Sequence, residues 1–164
     1  MTVGEALIAG RERLRAAGDD GRFDALRLLE ESLERNAAWI MAHDDDVVTA
    51  AAFERYAAAL ERRARGEPAA YIVGTVGFYG RTYAVNAGVL VPRPDSEHVV
   101  TLALEALRER ERDRPAVPPR LCDVGTGSGI LAITLACEWP TAAVTALDIS
   151  QAALAVAEGN ARAN

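Results

Sequence analysis

Lysine is absent from this 164-residue chain, and all 18 of its basic side chains are arginine. The arginines are spread along the chain rather than gathered into one tract, which marks a compositional bias and not a basic arm. With a formal net charge of −6, the chain is not expected to bind nucleic acid generally, because affinity for phosphate backbones comes from neutralising them with Lys and Arg. Cysteine is equally scarce. Cys122 and Cys137 form no CxxC pair and fall in a predicted strand and a predicted helix, so both are expected to be buried and reduced, with neither a metal nor a redox role. No run approaches the roughly 20 apolar residues of a membrane span. The start, Met1-Thr2-Val3-Gly4-Glu5, lacks the basic-then-apolar form of a secretory signal. A cytoplasmic chain without membrane contact is the expectation, and 50% hydrophobic residues give it a core for one ordinary domain or two small ones.

The most informative stretch runs from 120 to 150. Leu121-Cys122-Asp123-Val124, set between Pro118-Pro119 and glycine, predicts a short buried strand. Gly125, Gly127 and Gly129 follow at spacing two, a turn that can take positive φ and leaves no Cβ between backbone and ligand. Residues 130–139 are apolar around most of the circumference of a helix, and Pro140 sits where that helix should stop. Val144-Thr145-Ala146-Leu147 is a second strand, ending in Asp148. Ligands of doubly wound sheets lie beyond the carboxyl ends of the strands, so the glycine turn and Asp148 should face one crevice. There the carboxylate would accept hydrogen bonds from two ribose hydroxyls. A lone glycine triplet reads equally well as a tight structural turn. Strand, glycines, helix, strand and terminal acid in order favour a ligand site.

The turn is GxGxG with Asp123 two residues before it, a form associated with S-adenosylmethionine, whereas a dinucleotide fingerprint is GxGxxG. Asp123 has two readings: it caps the turn through its carboxylate, or it faces the methionine amino group.

Residues 1–66 read as a helical unit. Thr2 and Glu5 fit a capping box, and Leu7, Ile8 and Leu14 give an apolar stripe that Gly18 should end. A second helix covers 23–35, with Leu26, Leu29 and Leu33 on one face. Trp39 and Ile40 fall in a connection containing His43, expected at the surface, and the acidic run Asp44-Asp45-Asp46. Three consecutive acids do not present ligands as a metal loop does, and a solvated loop leading to a helix amino end is the better reading. The third helix, 49–65, places Phe53, Tyr56, Ala57 and Leu60 at core spacing.

From 67 to 94 the pattern changes to strand. Tyr71-Ile72-Val73 and Val76-Gly77-Phe78-Tyr79 precede Gly80-Arg81, and Thr82-Tyr83-Ala84-Val85-Asn86 follows. This predicts a β-hairpin bridging two units, with Gly80 allowing a type II′ turn and Gly74 and Gly77 marking a bulge or a close approach. Next, Arg93 lies between Pro92 and Pro94. It is either a rim ion pair or a side chain that the prolines fix at the edge of the site, with Pro94 beside it. Asp95 or Ser96 should cap a helix through Val99, Val100, Leu102, Ala103 and Leu107, with His98 exposed in its first turn. The arginines from 108 to 114, interleaved with acids, read as a solvated helix face, and 113–119 as a proline-rich link.

Taken together, 66–74, Phe78-Tyr79-Gly80, 89–97 and 123–129 resemble the successive signatures of the release-factor glutamine N5-methyltransferase family. The resemblance implies an α/β fold in three parts: a helical domain over 1–66 that engages a peptide chain release factor, a β-hairpin connection over 67–94, and over 95–164 the first part of a class I methyltransferase Rossmann-like sheet. It implies S-adenosyl-L-methionine as cofactor, with Asp123, Gly125, Thr126, Gly127, Ser128, Gly129 and Asp148 at the cofactor. The reaction implied is methyl transfer to the side-chain amide nitrogen of the glutamine in the release factor's Gly-Gly-Gln loop.

One departure matters. The family's Asn-Pro-Pro-Tyr motif, which grips the substrate amide, does not occur in residues 1–164. No catalytic residue is therefore assigned within them, and a fragment lacking turnover is the expectation. An outer edge of 121–124 left unpaired would be a pairing hazard. A non-catalytic release-factor-binding module and the start of a nicotinamide dehydrogenase are the alternatives. The GxGxG spacing weighs against the second.

Overall fold

The computed structural model describes residues 1–18, 21–113 and 117–164. It is an α/β chain whose contacts divide it into two compact units, Met1–Val73 and Gly74–Asn164. No helix among the described residues is long and apolar enough to cross a membrane.

The first unit holds α1 (Val3–Ala16), α2 (Arg22–Leu33), α3 (Ala37–Ala42), α4 (Ala50–Ala64) and α5 (Ala69–Val73). The capping box of α1 forms as the sequence predicts: the Glu5 amide donates to Thr2 Oγ1 and the Thr2 amide to Glu5 Oε2. Two further orphan amides of that first turn, on Val3 and Gly4, donate to the Asp46 and Asp44 carbonyls. The acidic run thus serves α1 through its backbone while its side chains stay in water. The core is built from Val3, Leu7 and Leu14 of α1, Leu28 and Leu29 of α2, and Tyr56 and Leu60 of α4. Gly10 lies where any Cβ would overlap the Tyr56 hydroxyl. That hydroxyl donates to the Ala25 carbonyl at 3.2 Å, while burial pushes its pKa up.

Three sequence expectations fail in this unit. Ile8 is exposed, because the buried stripe runs through positions 3, 7, 10 and 14 and residue 8 lies one position off it. Trp39 and Ile40 are not in a loop: the Asn36 side chain accepts from the Trp39 amide and caps α3, and Ile40 is buried. His43, expected at the surface, is half-buried, stacks on the Trp39 ring at 4.3 Å and bonds the Trp39 carbonyl through Nδ1.

The second unit contains β1 (Thr75–Phe78), β2 (Arg81–Ala84), α6 (Ser96–Asp113), β3 (Arg120–Val124), α7 (Ile130–Glu138), β4 (Ala143–Leu147) and α8 (Gln151–Ala163). β1 and β2 form an antiparallel hairpin, and β3 and β4 a separate parallel pair with Leu121 opposite Val144 and Val124 opposite Leu147. Phe78 and Tyr83 of the hairpin, Val100, Leu104 and Leu107 of α6, and Ile130 and Leu135 of α7 share one core. The Tyr83 hydroxyl is hydrogen-bonded to Thr134 Oγ1 at 2.7 Å inside it.

Several expectations are corrected here as well. Tyr71-Ile72-Val73 is not a strand but the end of α5, where the Tyr71 and Ile72 amides both bond the Pro68 carbonyl. Packing of Ile72 and Val73 on the helical core overrides their β propensity, and Gly74 at φ 84° ends the turn. The hairpin is accordingly shorter and belongs to the second unit. Its loop, Tyr79-Gly80, has φ 48° and 74°, so both central residues are left-handed and the turn is type I′ rather than II′. Gly77 pairs regularly with Thr82 and has open space where a Cβ would sit, so it marks neither a bulge nor a close approach. On α6 the buried face is Val100, Leu104 and Leu107, leaving Val99 and Leu102 exposed. Cys137 on α7 is only partly covered. Cys122 is exposed because one face of the β3–β4 pair packs on nothing among the described residues, so that β3, expected to be buried, has no buried residue. On that face Val124 is 79% exposed and Ile149, just past β4, 103%. Of the arginine-rich face and the proline link, residues 114–116 lie outside the described residues.

Candidate functional site

The glycine loop joins β3 to α7 and is held at both ends by backbone bonds. The Gly125 and Thr126 amides both donate to the Leu147 carbonyl, at 2.8 and 2.9 Å, and the Gly129 amide donates to the Thr126 carbonyl at 2.9 Å. Gly125, Gly127 and Gly129 have φ of 79°, 55° and 79°, a conformation that costs an L residue roughly 1–2 kcal/mol. The three glycines differ in surroundings. A Cβ on Gly125 or Gly127 would meet nothing within 4 Å, whereas on Gly129 it would lie 2.8 Å from Ile133 and 3.0 Å from Ala157. Gly129 is therefore a packing glycine, and the other two leave bare backbone facing open space.

Asp148 lies at the end of β4, and its carboxylate accepts from the Ser150 amide through Oδ1 and from the Gly127 amide through Oδ2, each at 2.9 Å. Those two N–H bonds, Ser150 first, hold its pKa below the ordinary aspartate value. An ionised carboxylate has about four acceptor positions, so each oxygen keeps room for a further donor. Asp123 accepts from the Thr126 hydroxyl at 2.7 Å through Oδ2, which is the turn-capping geometry. Its other oxygen has no partner among the described residues. Thr126 and Ser128 are buried beneath the loop.

A cavity of about 140 Å³ opens beside the loop, with Leu90, Pro92 and Ser96 opposite Asp123, Gly125 and Gly127. It is smaller than the roughly 300–1,000 Å³ of a complete small-molecule site. The structure brings six of the seven expected cofactor residues together directly: Asp123 and 125–128 line the cavity, and Asp148 bonds the loop. Gly129 supports the loop from below. Arg93 and Pro94 are exposed and line none of it, and Arg93 pairs with no carboxylate among the described residues. The neighbouring Pro92 and Ser96 supply that wall, a placement that the proline spacing alone did not distinguish. Sequence reasoning also missed Asn160, which is 2% exposed and donates from Nδ2 to the Ser128 carbonyl at 2.8 Å. A larger cavity, about 380 Å³, lies within the helical unit among Leu28, Glu31, Glu34, Arg55, Arg62 and Ile72.

Comparison with known proteins gives consistent results for both units. Residues 5–74 match the family model described as PrmC N-terminal domain, and 97–164 match that of ribosomal protein L11 methyltransferase (PrmA). A release factor glutamine methyltransferase of Bordetella pertussis is 46% identical over 141 residues, 86% of this chain and 50% of the relative. One of Koribacter versatilis is 43% identical over 162 residues, 98% of this chain and 56% of the relative. One of Staphylococcus aureus is 45% identical over 121 residues, 74% of this chain and 41% of the relative. The chain spans about half the length of the curated relatives it matches.

Proposed function

The chain belongs to the release factor glutamine methyltransferase family, and from that premise we propose that its glycine loop holds S-adenosylmethionine for methylation of a release-factor glutamine. The acceptor in this reading is the side-chain amide nitrogen of the Gly-Gly-Gln loop, and the compartment is the cytoplasm. The observation that carries the reading is the Asp148 carboxylate on the Gly127 amide, beside two glycines with open space above them.

When bound, S-adenosylmethionine supplies an electrophilic methyl group on a sulfonium. Asp148 accepts the ribose hydroxyls with the acceptor positions that Ser150 and Gly127 leave free. The bare backbone of Gly125 and Gly127 lets the ligand approach more closely than any side chain would allow. Asp123 fixes the turn through Thr126 and offers its second oxygen to the methionine ammonium group. Residues 1–164 contain no Asn-Pro-Pro-Tyr, so none of them is assigned to the grip on the substrate amide. An amide nitrogen is a poor nucleophile, which makes that positioning a large part of the catalysis. The helical unit engages the release factor, a role supported by its match to the PrmC N-terminal domain.

Calorimetric titration of the folded chain with S-adenosylmethionine, with NAD as comparator, tests the cofactor assignment. Binding of S-adenosylmethionine alone is expected, weakened at least about tenfold in Asp148→Ala by loss of charge-assisted hydrogen bonds. A folded chain that binds neither ligand, or that binds NAD instead, overturns it.

A further inference from the structure

We propose that Asn160 is the positioning residue of the glycine loop, fixing the Ser128 carbonyl and tying the loop to the hairpin through a single side-chain amide. Three hydrogen bonds meet on that amide. Its Oδ1 accepts from the Ala84 amide at 2.7 Å, while Nδ2 donates to the Ala84 carbonyl at 3.0 Å and to the Ser128 carbonyl at 2.8 Å. A primary amide has two N–H donors, and both are used. The three partners also determine which way the amide points: one N–H needs the oxygen, and two carbonyls need the nitrogen.

To Ala84 this side chain presents what a neighbouring strand would, a donor and an acceptor to one residue. With its remaining N–H it reaches across to the loop. Ala157, one turn earlier on α8, lies under Gly129, where an added Cβ would be 3.0 Å from the Ala157 Cβ. The helix therefore meets the loop at two successive peptides, by packing at 129 and by hydrogen bonding at 128. Asparagine is a poor helix interior residue beside the alanines of α8, and nothing in the helix itself calls for it.

Asp at 160 has the same shape but no donor when ionised. It would place a carboxylate oxygen against two carbonyls and leave both without a partner. Comparing it with Ala separates hydrogen bonding from volume. Asn164 provides the control, because its Nδ2 donates to the Thr82 carbonyl at 3.2 Å and to the backbone carbonyl of Asn160 at 3.1 Å, joining the end of α8 to β2 without touching the loop or the Asn160 side chain.

The test is amide hydrogen exchange on the whole 164-residue chain, read residue by residue, with S-adenosylmethionine titration beside it. In Asn160→Asp and Asn160→Ala, exchange at Gly127 and Gly129 is expected to rise at least about tenfold while the amides of α7 and the helical unit keep their protection. S-adenosylmethionine affinity should fall by a similar factor, and Asn164→Ala should leave the loop unchanged. Unchanged loop exchange in both Asn160 variants overturns the proposal. So does uniform loss of protection across Gly74–Asn164, which would make Asn160 a general packing residue. The affinity arm rests on the cofactor reading above. If the unsubstituted chain does not bind S-adenosylmethionine, that reading falls and the exchange arm alone decides the role of Asn160.

Discussion

At the scale of single residues, Asp148 shows how a backbone can set the charge of a site without a cation. Its two N–H donors, from Ser150 and Gly127, favour the ionised form and lower its pKa. The sign follows from linkage: the stability it contributes is present above the ordinary aspartate value of 3.8 and is lost as pH falls through the lowered value. Followed by NMR, the Gly127 amide should shift with a midpoint below 3.8, and the transition should vanish in Asp148→Asn. A midpoint at or above 3.8 would contradict the bond. Asp148 was legible in the sequence because the end of a strand is a local fact, and the glycine conformations were legible because a missing Cβ is one. Asn160 was not. Its partners Ala84 and Ser128 lie 76 and 32 residues away, and no local signal separates it from Asn164.

At the scale of elements, the same left-handed backbone occurs with and without neighbours. Gly80 has φ 74° and open space for a Cβ, while Gly129 has φ 79° and is crowded by Ile133 and Ala157. Gly80→Ala should therefore cost only the backbone strain, about 1–2 kcal/mol. Gly129→Ala adds overpacking of about 1–3 kcal/mol. Urea unfolding followed by a probe in the second unit measures both, and equal costs would mean that α8 does not press on the loop. Elements were well placed along the chain in β3, α7 and β4. Yet β3, expected to be buried, has no buried residue, because the packing of a strand's two faces is decided by partners distant in sequence. Elements were misread where a few residues carried a misleading propensity. Tyr71-Ile72-Val73 looks extended by residue type, yet Pro68 starts a helical turn beneath it and the helical core takes Ile72 and Val73. In the hairpin, the strands were legible but the turn type was not, because it depends on Tyr79 accepting a positive φ, which glycine spacing does not report.

At the scale of the whole molecule, the face of β3 and β4 that packs on nothing among the described residues is the surface expected to drive self-association. Val124, Leu147 and Ile149 are exposed on it, and β3 pairs with β4 alone among the described residues. Exposed apolar strands of this kind recruit other chains. Val124→Glu combined with Ile149→Glu should reduce self-association measured by light scattering. Neither side chain is buried, so the unfolding midpoint should move little, within about 0.5 kcal/mol for each change. Undiminished scattering would place the sticky surface elsewhere. The fold class was legible at this scale because composition and element order carry it. The openness of the sheet face was legible only as an unpaired edge, since which face packs depends on contacts distant in sequence.

The bond from Asn160 to Ser128 also places events in time. Synthesis runs from the amino terminus at roughly 5–20 residues per second, so the 32 residues separating the two take roughly two to six seconds to add. Throughout that interval the loop exists without its anchor, while every contact internal to Met1–Val73 is already available. The helical unit can mature first on the ribosome, and the glycine loop acquires its final order only once α8 has been added.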